Sequence, residues 1–232
     1  MDEKIKIGII AQYNHDFLHH IYVEKAISDS FGILGVDYRT TWISANEIND
    51  PVELNQFDAI WVPSSENKVD ENLLNLLKFI REKNIPMLAT AMGMKQMVWE
   101  FARNAVKAPA NFENFITETD IPQEYQTVSV KIIPNTIANL SYKKNSIFKQ
   151  DNSTFEINAN LYPFLSEKGL ILSGNDEKGR IKILEYLKND FYVGVLYVPQ
   201  LNSTPDNPSK IITMFLKTGI RHYLQKQEVV VK

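Results

Sequence analysis

The stretch LATAMGMKQMVWEFARN (88–104) runs an apolar segment ending at Thr90 into a helical pattern that opens at Met92, with Gly93 one residue inside it. A strand that turns sharply into a helix is where many α/β enzymes present a nucleophile, because the turn lifts one side chain clear of the sheet. The residue on this turn is Ala91. The stretch therefore predicts an elbow whose tip carries a methyl group and no chemistry.

Working outward, KIKIGIIAQ (4–12) is a β-branched run followed by the polar YNHD and by a helical pattern through FLHHIYVEKAISDSF. It reads as strand, loop and helix. VDYRTTWIS (36–44) alternates as a second strand. FDAIWVP (57–63), nearly continuous in apolar character, reads as a third strand covered on both faces. NLLNLLKFIREKN (72–84) has leucines and isoleucine at helical spacing, and IPMLAT (85–90) is a fourth strand behind Pro86. This alternation predicts a doubly wound, mostly parallel sheet.

From about residue 125 the pattern changes to TVSVKII, GLILSG, RIKILEYL and FYVGVLYVP, joined by short polar turns such as GNDEKGR (174–180). That half reads as antiparallel or mixed. A closing helix is expected over roughly 207–225, with Asn207 as cap and Pro208 in the first turn. Neither a repeat nor a linker interrupts the chain, so residues 1–232 are expected to form a single domain.

Composition narrows the function classes. The 25 basic and 28 acidic side chains nearly cancel, which disfavours nucleic acid and anionic membranes as partners. With no cysteine, disulfides, thiolate metal sites and cysteine nucleophiles are excluded. The sequence has no signal-type segment at Met1 and no apolar run of the roughly 20 residues that a membrane span requires. A cytoplasmic location is expected. Phosphate loops, dinucleotide fingerprints and zinc spacings do not occur, so no cofactor and no metal are implied.

Two long segments carry a family likeness. DAIWVP (58–63) with KFIREKNIPMLATAMGMKQMVWEFARN (78–104), and then LYPFLSEKGLILSGNDEKGRIKILEYLKNDFYVGVLYVPQLNSTP (161–205), resemble in order the glutaminase half of the CTP synthases, a class I glutamine amidotransferase family. The resemblance implies a flavodoxin-like, three-layer α/β fold with a mostly parallel central sheet. It also implies a catalytic cysteine on the elbow, activated by the histidine and glutamate of a His-Pro-Glu triplet. The matching positions here hold Ala91, Val198 and Gln200, with Pro199 retained between the last two. A methyl group cannot attack a carbonyl and valine cannot accept a proton.

Other family positions have changed too. The oxyanion loop carries two glycines after Val-Pro, whereas this chain reads Val62-Pro63-Ser64-Ser65-Glu66 and brings a negative charge to the spot. Asn114 replaces the glutamate that holds the substrate amino group. The arginine-rich segment that meets the substrate carboxylate corresponds to QDNSTFE (150–156), and no arginine lies between Arg103 and Arg180.

A few side chains at the carboxyl edge of the sheet offer replacement chemistry. NHDFLHH (14–20) spaces His15 from His19, and Asp16 from His20, by four residues on an expected helix. Such a set suits a metal or a proton shuttle, or else a solvated helix start capped by Asn14 or Asp16. Ser64, Ser65 and Glu66 are new hydrogen-bonding groups or an ordinary polar turn. Met92 borders the crevice and Lys95 points inward or snorkels outward; a crevice closed by Met92, Val198 and Tyr197 would favour a protein partner, an open cleft with converging polar groups a ligand or an enzyme.

The expected function is a catalytically inactive glutaminase-like protein that binds a small-molecule ligand or a protein partner at the former active-site crevice. The rivals are an enzyme with new chemistry drawn from His15, His19, His20, Ser65, Glu66 and Lys95, and a subunit that docks on a separate synthase-type chain.

Overall fold

A computed structural model describes residues 4–16, 18–63, 69–108, 111–119, 126–151 and 153–230. The chain begins with β1 (Ile5–Ile10), α1 (Leu18–Leu34), β2 (Tyr38–Ile43), β3 (Ala59–Val62), α2 (Glu71–Glu82), β4 (Met87–Thr90) and α3 (Met92–Phe101). It continues through β5 (Ile116–Glu118), β6 (Gln126–Ile132), α4 (Ile137–Tyr142), β7 (Ser146–Asp151), β8 (Phe155–Ile157) and α5 (Tyr162–Glu167). It ends with β9 (Leu170–Asp176), β10 (Ile181–Tyr186), β11 (Tyr192–Val195) and α6 (Lys210–Val230).

Nine strands form one sheet in the order β2-β1-β3-β4-β11-β10-β9-β6-β7. The pairings from β2 to β11 are parallel and those from β11 to β7 antiparallel. Only β10 and β6 therefore oppose the other seven strands in direction. This is the expected mostly parallel sheet with a mixed half. A separate ribbon pairs β5 with β8.

The strands at the centre are apolar on both faces because both faces are covered. Ile60, Val62, Met87 and Ala89 pack against leucines of α2 and against Met94, Met97 and Val98 of α3. Ala59, Trp61, Leu88, Val193 and Val195 pack against α1, α4 and α6. Three layers result. Helix α2 starts where the sequence predicts, with the Asp70 side chain accepting from the Leu73 amide at 3.0 Å.

The last helix starts two residues later than the cap signal indicates, at Lys210 and not at Pro208. Asn207 is engaged in a bridge with Thr204, its amide bonded to the Thr204 carbonyl at 3.1 Å, so helical geometry waits until Lys210.

Candidate functional site

The site is built on the turn between β4 and α3. Ala91 has φ 50° and ψ −119°, a conformation that a residue with a Cβ rarely adopts. Holding a non-glycine residue there costs roughly 1–3 kcal/mol, so the surroundings must enforce it. Its amide donates to the Val195 carbonyl at 2.9 Å, and its own carbonyl accepts from Met94 at 3.0 Å. Gly93 is fixed by space. A Cβ there would lie 2.1 Å from the Val62 carbonyl oxygen and 2.6 Å from that of Pro63. Gly194 on β11 is as constrained, since a Cβ would meet Met94 Cγ at 2.8 Å and Met97 Sδ at 2.9 Å. Both glycines let α3 settle onto the sheet, so the elbow is a packing solution independent of any nucleophile.

The segment beyond β11 supplies the other two positions of interest. The Leu196 amide donates to the Lys182 carbonyl at 2.9 Å, and a single 3-10 turn follows over Pro199–Asn202. Val198 and Gln200 are both buried. The Gln200 Oε1 has no hydrogen-bond partner among the described residues. Tyr197 is fully buried in the core on the α1, α4 and α6 side, where its hydroxyl bonds that of Tyr142 at 2.8 Å. The structure therefore places Tyr197 away from the α3 side of the sheet.

Charges around the elbow are neutralised internally. Lys95 is fully buried, not snorkelling: its ammonium pairs with Glu118 and lies 4.8 Å from the Trp99 ring centroid and 5.3 Å from that of Phe155. Lys182 pairs with Asp151 at 2.5 Å, both nearly inaccessible. Asp151 also accepts from the amide and the hydroxyl of Ser153. Arg180 donates to Asp176 at 2.7 Å and to Glu156 at 3.0 Å. The segment 150–156 thus does meet cations, but they come from β10 and the turn before it, and each already holds a carboxylate. Asp151, Glu156, Arg180 and Lys182 border a cavity of about 50 Å³. That is room for one or two waters, at roughly 30 Å³ each in the liquid.

Sequence spacing could not reveal these pairs. A signal existed in part: Lys182 and Glu185 interrupt β10, which is buried at every position. A charge in a fully buried strand needs a partner. Glu185 finds its own in the single amide of Ile137 at the start of α4, which lies 2.9 Å from each of its carboxylate oxygens.

The histidines do not form the helical set that their spacing predicts. Helix α1 begins at Leu18, and His15 and Asp16 precede it as an exposed pair 3.2 Å apart. The Asn14 side chain accepts from the Asp16 amide at 2.8 Å, a local turn of the capping kind. His20 is buried, accepts from the Asn14 amide at 3.1 Å, and packs on Tyr13 and Trp42. Burial, reinforced by His20, holds the His19 imidazole below the ordinary histidine range. No three His, Asp or Glu side chains converge as a metal site among the described residues. Asn114 is exposed in a 3-10 turn over Phe112–Phe115, and Met92 is half-buried against the α3-side core. Ser64, Ser65 and Glu66 lie outside the described residues.

No helix among the described residues is long and apolar enough to cross a membrane. Comparison with known proteins agrees with the geometry. The family described as "Glutamine amidotransferase class-I" matches residues 18–218. The CTP synthase of Methanococcoides burtonii is 27% identical over 247 residues, covering 97% of this chain and 46% of that protein. The CTP synthase of Saccharolobus solfataricus is 27% identical over 237 residues, covering 92% and 44%. The chain spans about half the length of the curated relatives it matches. Among solved structures, the glutaminase domain of Trypanosoma brucei CTPS with bound acivicin superposes with a TM-score of 0.84 at 20% identity, covering 94% of each chain.

Proposed function

The chain belongs to the class I glutamine amidotransferase family, and from that premise we propose that it is a non-hydrolytic member which keeps the glutaminase fold as a binding module. The observation that carries this reading is Ala91 at the tip of a strained elbow, φ 50°. Enzymes hold such strain to aim a reactive group; here the aimed group is a methyl. Val198 and Gln200, at the positions that the motif match gives to histidine and glutamate, supply neither a base nor a carboxylate. Substrate contacts are altered in the same direction. The cations that pair with segment 150–156, Arg180 and Lys182, are committed to Asp151, Asp176 and Glu156, so a free amino acid's carboxylate would have to displace an existing ion pair to use them.

The same internal pairing favours recognition over new catalysis. Lys95, on α3 beside the elbow, is paired with Glu118 and covered by two aromatic rings, and His20 packs elsewhere with Tyr13 and Trp42. A protein partner suits this edge better than a substrate. The relatives carry the matching region as about half of a longer chain, which supports a synthase-type chain as that partner. Calorimetric titration with L-glutamine tests the first half of the proposal: no saturable heat is expected. Saturable binding in the range usual for enzyme substrates, roughly 1 µM to 1 mM, would contradict it.

A further inference from the structure

A second cavity, of about 490 Å³, lies away from the elbow between β7, the end of α4 and the segment that leads into α6. Its size suits a small ligand, since binding pockets commonly enclose about 300–1,000 Å³. Three lysines line it, Lys144, Lys149 and Lys210, and no Asp or Glu does. The chain has 28 acidic against 25 basic side chains, so this local excess runs against the overall balance. None of these lysines has a carboxylate within ion-pair distance among the described residues.

Three further features point to an anion. The cavity sits at the amino end of α6, a 21-residue helix with no acidic residue in its first turn, so no carboxylate of that turn offsets its dipole. Ser209, which lines the cavity just before that helix, is buried, and its Oγ has no hydrogen-bond partner among the described residues. Lys149 is half-buried, its ammonium 5.3 Å from the Tyr142 ring centroid and 5.9 Å from that of Tyr197. Burial, and then the charge of Lys144, draw its ammonium down to about 8. The attraction of a bound anion would oppose both effects at once.

We infer that this cavity is a binding site for the phosphate group of a small molecule, held by Lys144, Lys149 and Lys210 and by the amino end of α6. A phosphate dianion matches three point charges and a row of N–H donors better than a carboxylate does, since it offers more acceptor oxygens and twice the charge. Phe148 stands exposed at the rim and gives the organic part of such a ligand an aromatic surface. The site is separate from the former active-site crevice, because neither the elbow residues nor Val198 and Gln200 line it.

Titration of the full chain with phenyl phosphate, at pH 7 and chloride-balanced ionic strength, tests this by calorimetry and by amide NMR. The expected result is saturable one-to-one binding that shifts the Lys210 and Ile211 amides and weakens at least tenfold in Lys149→Met. Lys210→Glu serves as the second variant, because the position is exposed and a carboxylate in a first helical turn favours the helix; binding should be lost while the unfolding midpoint is kept. Absence of saturation in the wild-type chain, or equal affinity in a folded Lys149→Met/Lys210→Glu variant, would overturn the inference.

Discussion

The Ala91 amide donates to the Val195 carbonyl across 2.9 Å, and this bond ties the elbow after β4 to the last residue of β11. It extends the parallel ladder, in which Thr90 pairs with Val195, by one residue into the turn. The bond explains how a methyl-bearing residue is held at φ 50°. Strand pairing sets the backbone and the side chain has no say.

Two substitutions separate strain from space. Ala91→Gly removes a penalty of roughly 1–3 kcal/mol against an unfolded-state loss of about 0.4–1 kcal/mol. A net gain of about 1 kcal/mol is expected, which raises the melting temperature by roughly 2–4 °C for a chain of this size. Gly93→Ala should do the reverse, because its methyl would overlap the Val62 carbonyl oxygen. Overpacking of this kind costs about 1–3 kcal/mol or more, and thermal unfolding of both variants checks the pair. A destabilised Ala91→Gly would show that the elbow is not strained.

Rebuilding the triad should fail. Ala91→Cys/Val198→His/Gln200→Glu places a nucleophile and a base at the matched positions, but Asn114 and the committed ion pairs of Asp151, Glu156, Arg180 and Lys182 still leave glutamine unheld. Positioning precedes chemistry and accounts for roughly 7–11 kcal/mol of an enzymatic barrier. Ammonia release by this variant, saturating with glutamine in the low-millimolar range, would disprove the account of the substrate contacts.

On the α3 side of the sheet, Arg81 holds Glu100 by three bonds, of 2.8, 3.0 and 3.3 Å, and Glu100 is completely buried. Arg81→Ala leaves that carboxylate uncompensated and should destabilise by about 3–5 kcal/mol. Adding Glu100→Leu should recover most of the loss, because removing both charges is close to neutral. Urea unfolding of the single and double variants measures the coupling.

Lys149 gives the chain a predictable alkaline response. Its ammonium titrates near 8 in the folded protein, below the roughly 10.4 of an unfolded lysine. The native state sheds this proton first, so the contribution is fully present above the unfolded value and is lost as pH falls through about 8. The groups facing it are Lys144, Tyr142 and Tyr197; burial raises both phenols, which stay neutral across this window. Between about pH 8 and 10.4 wild-type stability should rise relative to Lys149→Met. Parallel curves for the two proteins would remove Lys149 as the cause.

The parallel half and the elbow were legible because continuous apolar runs alternate with helical spacing, and because Gly93 sits where only glycine fits. The antiparallel half was legible as strands but not as neighbours. Which cations face residues 150–156 depends on the ladder that sets β9 beside β10 and on the turn joining them, and that information is nonlocal. The short elements α4, β7 and α5 escaped notice because each is six residues long, less than two helical turns or one short strand. The i, i+4 spacing of His15 and His19 misled because the Asn14 turn delays the helix until Leu18. Tyr197 could not be assigned a face from sequence alone, since β11 has ended before it.

The central claim is that the elbow has outlived its chemistry, and ammonia release from L-glutamine by the purified chain tests it most directly. The account predicts no release above a heat-killed sample at any glutamine concentration. Turnover that is abolished by a single substitution within this chain, such as Lys95→Met or Gln200→Ala, would contradict it.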